Sequence, residues 1–289
     1  MKHYRIRFLL GLVFFSSIIL KAQDNVPDSL SIYCIGNSHT VDFTWDAFLP
    51  ILEELNIKTN HGWHIKCGSP LSNILANPDV TCVELTEYGD FQKAIDHHRW
   101  NVITLQTFSG STPQSETEAV KEVLKRISKG INKNSDVYIY CSWPYNTSTR
   151  LIDFDYSQEW NSGFHKKDSL TVLTKKYFRY LKKSIEKESE NIKFIHVGEV
   201  LYQFDQKARS GGIPGFTGSG ELYRDGWHLN NVGRFIAGMT VFSQIFRYDP
   251  INIPDFKKFH TSDDWPTDRE LTTEQIQIIK QLVSNTLEF

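Results

Sequence analysis

The strongest constraint on what this chain can fold into is an alternation along its length. Short apolar runs bounded by turn-forming residues alternate with longer segments whose apolar residues recur at three and four positions. Residues 31–35, 100–105, 137–141 and 192–197 are runs of strand length, and 61–66 is a weaker fifth. Strands alternating with helical periods are the pattern of a parallel sheet covered by helices.

The helical segments carry their own signatures. Trp45, Phe48, Leu49, Leu52 and Leu55 form one stripe, which Pro50 should kink or shorten. Val120, Val123, Leu124, Ile127 and Ile131 form a second, and Leu170, Leu173, Tyr177, Leu181 and Ile185 a third. Val232, Phe235, Ile236, Met239, Phe242, Ile245 and Phe246 make a strongly apolar helix expected to lie buried on the sheet. A last helix should open at a capping box, Thr272 with Gln275, with Leu271 stapled to Ile276. The polar stretches 146–167 and 206–220 read as surface loops. The glycines of the second lack the Gly-Lys-Ser/Thr ending of a phosphate cradle, which argues against a nucleotide site.

The first residues stand apart. A basic start through Arg7, an apolar run over 8–20 and the polar exit Lys21-Ala22-Gln23 have the layout of a secretory signal peptide. The run is shorter than the ~20 residues a membrane-spanning helix needs. Residues 1–22 are therefore expected to be a signal peptide and 23–289 one domain, exported to the periplasm or outside the cell, without a membrane span. Export makes disulfides admissible. Cys67 and Cys82 are close enough in sequence to close a local loop and are the first pair to test. Cys34 and Cys141 sit within apolar strand-like runs, where a buried free thiol is the common state. With 34 acidic against 32 basic residues the chain has no basic excess for nucleic acid. His61, His64, His97 and His98 do not form a recognised zinc pattern, and no metal is expected.

Chemistry concentrates near the two ends of the array. Gly36-Asn37-Ser38-His39-Thr40 follows the first strand and precedes the first helix. Ser38 should thus project from a turn at the carboxyl edge of the sheet, where open α/β sheets bind ligands. Tyr223-Arg224-Asp225-Gly226-Trp227-His228 stands just before the apolar helix. Three residues apart, Asp225 can accept the Nδ1 proton of His228 and leave the opposite ring nitrogen free to act as base toward a serine hydroxyl. His39 is expected to be a packing neighbour.

With these motifs in this order, the chain resembles the SGNH (GDSL-like) hydrolases, serine esterases and lipases. The resemblance implies a flavodoxin-like three-layer α/β/α sandwich with a central parallel sheet of about five strands. It makes Ser38 the nucleophile and Asp225 and His228 its acid–base partners. The oxyanion hole would be built from the Ser38 N–H, from Gly68 in Cys67-Gly68-Ser69-Pro70-Leu71, and from a third group. Two departures stand out. Gly-Asn-Ser replaces the usual Gly-Asp-Ser, and Leu105-Gln106-Thr107-Phe108-Ser109 replaces the third motif's Gly-x-Asn-Asp. Gln106, the amide at that strand end, is carried over as its substitute donor.

The implied function is an exported serine esterase acting on O-acyl esters, O-acetyl first among them, on small molecules or carbohydrates, with no cofactor. Trp63, Trp143 and Trp227 are candidate substrate faces, since flat aromatic rings pack on sugars, although Trp143 and Trp227 can equally wall the pocket or fill core. The rival reading is a non-catalytic carbohydrate-binding protein on the same scaffold.

Overall fold

The computed structural model describes residues 27–164, 170–188, 192–255 and 266–287. The expected signal peptide lies outside the described residues. Five strands form one all-parallel sheet: β1 (Ser29–Gly36), β2 (Lys58–Ile65), β3 (Val102–Gln106), β4 (Asp136–Tyr140) and β5 (Ile192–Ile195). Their spatial order is β2-β1-β3-β4-β5. This is the flavodoxin-like order, whose topological switch point lies between β1 and β3.

The helices are α1 (Ser38–Phe43), α2 (Leu49–Glu54), α3 (Leu71–Ala76), α4 (Phe91–His97), α5 (Pro113–Lys129), α6 (Tyr156–Asn161), α7 (Lys175–Ile185), α8 (Val197–Arg209), α9 (Asn231–Phe246) and α10 (Thr273–Leu287). α1 and the turn after it pack on α9, with α8 and α10 beside them, while α3, α5 and α7 associate in a separate group. The helices cover both faces of the sheet, giving the three-layer sandwich. β3 is buried at every position, as a central strand covered on both faces must be. No helix among the described residues is long and apolar enough to cross a membrane.

Several local readings are refined. The first helical stripe is not one regular helix: a π-helical turn over Thr44–Phe48 joins α1 to α2, and Pro50 sits in the first turn of α2, directly after that irregular turn. α5 stops at Lys129 before Gly130, so Ile131 falls outside the stripe and is 40% exposed. α8 runs through Arg209, so its last turn takes the start of the expected 206–220 loop. Within 146–167, Asp155 caps the short α6 by accepting from the Gln158 N–H. The capping box forms as expected: Thr272 N–H donates to Gln275 Oε1 at 2.8 Å, and Gln275 N–H donates to Thr272 Oγ1 at 3.2 Å. Cys67 and Cys82 are bonded, with Cα atoms 5.6 Å apart, and Cys34 and Cys141 are buried thiols. Burial pushes the Cys34 thiol up to about 12, so it is inert as a nucleophile.

Candidate active site

The site is assembled at the carboxyl ends of β1, β2 and β3. β1 ends at Gly36, and Asn37, in extended conformation, caps α1 by accepting from the His39 N–H at 3.1 Å. Ser38 is thereby the first residue of the helix, in a sharp strand-to-helix turn. Gln106, at the end of β3, braces this turn from beneath. Its Oε1 accepts from the Asn37 N–H at 3.1 Å and from Thr40 Oγ1 at 2.7 Å, and its Nε2 donates to Asn37 Oδ1 at 2.8 Å. This close approach requires glycine at position 36, where an added Cβ would fall 2.2 Å from Thr40 Oγ1 and 2.8 Å from Gln106 Cβ.

Gly68 occupies the neighbouring turn after β2. It has φ of +64°, and an added Cβ would meet nothing within 4 Å, so the turn selects glycine for backbone conformation rather than space. The turn is tied to the turn of Ser38 at both ends: Lys66 N–H donates to Gly36 O at 3.0 Å, and Asn37 Nδ2 donates to Ser69 O at 3.2 Å. The Cys67–Cys82 bond anchors it from the outside. Glu116 of α5, fully buried, joins the turns after β2 and β3. It accepts from the backbone N–H groups of Leu71, Ser72 and Phe108 at 3.1, 3.2 and 2.9 Å. Burial nonetheless holds its carboxyl above the ordinary range, against the pull of those hydrogen bonds.

The second half of the site is the segment before α9. Asp225 Oδ1 accepts from the Trp227 and His228 N–H groups, each at 2.7 Å, and Asp225 Oδ2 lies 2.9 Å from His228 Nδ1. Burial works to raise the Asp225 carboxyl, but the hydrogen bonds from His228 and Trp227 outweigh it and hold the group below its usual range. An ionised Asp225 fixes the His228 tautomer with hydrogen on Nδ1, so Nε2 is free to accept a proton.

His39 ties the two halves together. Its ring stacks on Trp143 with centroids 4.5 Å apart and meets the His228 ring edge-on at 6.1 Å. The Trp227 carbonyl accepts from Trp143 Nε1 at 3.0 Å and also hydrogen-bonds His39. Burial, reinforced by nearby His228, lowers His39 to about 3, so it is neutral at any working pH and serves as packing, as its position suggested. The residue beside Ser38 thus touches the segment that carries His228.

The three tryptophans part company. Trp143 has no exposed surface, so its role falls on the walling side of the expectation. Trp63 packs on Trp45 and His61 and donates to Glu84 O at 2.8 Å. Only Trp227, 51% exposed and 3.9 Å from the Tyr145 ring, offers a flat face to solvent. Reading the sequence missed Tyr145, Glu116, Asp42, Arg224 and Arg234. Of these, Asp42 had a usable signal: it falls four residues after Ser38, on the same face of a helix. A hollow of about 670 Å³ between α8 and α10, lined in part by Gln203, Lys207 and Gln281, includes none of Ser38, Asp225 and His228.

No protein-family model matches the chain, and no curated protein matches its sequence. Solved structures do share the fold. A DUF4886 family protein from Bacteroides uniformis superposes with a TM-score of 0.62 at 18% identity, covering 90% of this chain and 95% of that one. An acetyl xylan esterase superposes with a TM-score of 0.51 at 13% identity, covering 75% of this chain and all (100%) of the other. The α/β/α architecture implied by the SGNH resemblance is therefore the one found.

Proposed function

We propose that this protein is a serine ester hydrolase of the SGNH type, with Ser38, His228 and Asp225 as its triad. The observation that carries the reading is the 2.9 Å contact of Asp225 Oδ2 with His228 Nδ1, on a segment braced against the residue next to Ser38. Ser38 Oγ attacks the ester carbonyl while His228 Nε2 takes its proton. The N–H groups of Ser38 and Gly68 stabilise the oxyanion, and His228 then returns the proton to the departing alkoxide. Water, activated by the same ring, releases the acid from the acyl-enzyme. This chemistry needs no cofactor. Gln106, expected as a third oxyanion donor, also holds the nucleophile's turn in shape, since its Oε1 accepts from the Asn37 N–H and Thr40 Oγ1 and its Nε2 donates to Asn37 Oδ1.

The substrate class follows from weaker support. Trp227 with Tyr145 gives an exposed aromatic platform beside His228, suited to a sugar ring, and one protein of this fold is an acetyl xylan esterase. We therefore assign O-acetylated carbohydrate as the substrate. The amino-terminal segment and the Cys67–Cys82 bond favour export to an oxidising compartment. The test is hydrolysis of p-nitrophenyl acetate and acetylated xylan by the wild type and by Ser38→Ala. Loss of turnover in the variant is expected. Equal turnover would refute the triad, and glycan binding without turnover in the wild type would favour the carbohydrate-binding alternative.

A further inference from the structure

One buried charge in this region has no part in the triad. Asp42 lies one helical turn after Ser38, on the same face of α1, and is fully buried. Its Oδ2 accepts from the N–H of Leu229, the residue after His228, at 3.2 Å. Its Oδ1 lies 3.2 Å from Arg234 Nε on α9 and 3.8 Å from Arg224 Nη2. Arg224 Nε in turn lies 3.7 Å from Asp225 Oδ2. A continuous line of charges thus runs from the nucleophile's helix through Arg224 to Asp225 and His228.

Resting on the triad reading, we propose that Asp42 is a positioning residue for ester hydrolysis. Its carboxylate clamps the Asp225–His228 segment onto the helix that carries Ser38, and its charge supports the imidazolium formed when His228 takes the serine proton.

Packing alone does not account for an aspartate here. Replacing a buried ion pair with apolar residues of similar size is often neutral or stabilising, so a site that needed only filling would be served better by an apolar side chain. The groups around Asp42 are Arg234 from α9, Arg224 and His228 from the 224–229 segment, and Tyr140 from the end of β4. Burial raises the Asp42 carboxyl to about 6, against the opposing pull of Arg234, His228, Arg224 and the Leu229 N–H. The clamp therefore takes up a proton in the weakly acidic range. With Asp42 and the base His228 both required in their deprotonated forms, kcat/KM should fall on the acid side as a two-proton process.

The experiment compares pH profiles of p-nitrophenyl acetate hydrolysis for wild type, Asp42→Asn, Arg234→Gln, the double variant and Ser38→Ala, with folding checked by circular dichroism. Asp42→Asn should lower kcat on the order of tenfold or more, leave KM within about twofold, and convert the acid limb to a one-proton slope. Arg234→Gln removes the strongest charge favouring ionised Asp42, so its acid limb should move to higher pH. In the double variant that movement should vanish. A role confined to packing changes rate and melting temperature but not the number of protons. Wild-type kcat/KM or a retained two-proton limb in Asp42→Asn overturns the proposal, as does an unmoved limb in Arg234→Gln. The latter decides the matter if Asp42→Asn does not fold. An inactive Ser38→Ala beside an unaltered Asp42→Asn sinks the Asp42 role alone. Equal turnover by Ser38→Ala and wild type sinks the triad and this role with it.

Discussion

Acidification should destabilise the fold through His39, by an amount that can be worked from its surroundings. The ring is fully buried between Trp143 and the His228 segment, and burial lowers it from 6.5 to about 3. In the unfolded chain it accepts a proton near the ordinary histidine value. Between those two points the unfolded state holds a proton that the folded state refuses. Stability contributed by neutral His39 is therefore complete above pH ~6.5 and lost as pH falls toward ~3, at about 1.4 kcal/mol per unit. Asp42 acts with the opposite sign between its unfolded value and about 6, because its folded form binds the proton more readily. A difference measurement cancels that contribution. Urea unfolding of wild type and His39→Gln at a series of pH values gives two curves. The variant loses the stacking on Trp143 at every pH, which is a constant offset. The wild-type advantage should shrink by about 3 kcal/mol between pH ~8 and ~4.5. A difference curve flat across that range, or a His39 ring that protonates near 6.5 in the native protein by NMR, would refute the argument.

Two further outcomes follow from the braces around the nucleophile. Removing the Cys67–Cys82 bond by Cys82→Ser opens a loop of 15 residues and should cost about 3 kcal/mol in chemical unfolding. Because Gly68 adjoins Cys67, kcat should fall more than KM rises. Gln106→Leu strands the Asn37 N–H and Thr40 Oγ1 in a buried site, at about 1–3 kcal/mol for each unmet group, while Asn37 Oδ1 keeps the His39 N–H. Melting temperature and turnover should drop together. If turnover alone falls by ~10² or more at unchanged stability, Gln106 is an oxyanion donor after all.

The sheet was legible because its strands are continuous apolar runs whose ends are marked by breakers. All five were placed from that signal, β2 least clearly because it lies at the sheet's edge and opens on the polar run Lys58-Thr59-Asn60-His61. The helices that escaped are α3, α4, α6 and α8, the first three only one or two turns long. Their starts depend on interactions that composition does not display. Asp90 caps α4 by accepting from Gln92 and Lys93 N–H groups at 2.7 and 3.1 Å, and Glu116, 45 residues away, accepts from the first N–H groups of α3. Ser38, Asp225 and His228 could be proposed as a triad because each stands in a motif at an element boundary. The tryptophans could not be sorted, since exposure is a property of the packed chain: Trp143 and Trp227 share the Trp227 carbonyl, yet one is fully enclosed and the other half open.

What composition could not disclose is that this site is built by buried polar side chains reaching between turns. Gln106 links β3 to Asn37, Asn37 links β1 to Ser69, Glu116 links the turns after β2 and β3, and Asp42 links α1 to the His228 segment. Each bridges residues at least 32 positions apart, so no local pattern encodes it. Such groups cost stability when unmet and gain strength in a low dielectric when satisfied, which makes their geometry close to all-or-none. Under the proposed hydrolase reading, a sheet edge fastened in this way holds backbone N–H groups in place before substrate arrives, which is the condition for oxyanion stabilisation without reorganisation. The departures from the usual motifs then fall into one scheme. Asn37 in place of aspartate gains an Nδ2 donor for Ser69 O, and Gln106 gains the reach to hold Asn37, so the two changes work as a pair.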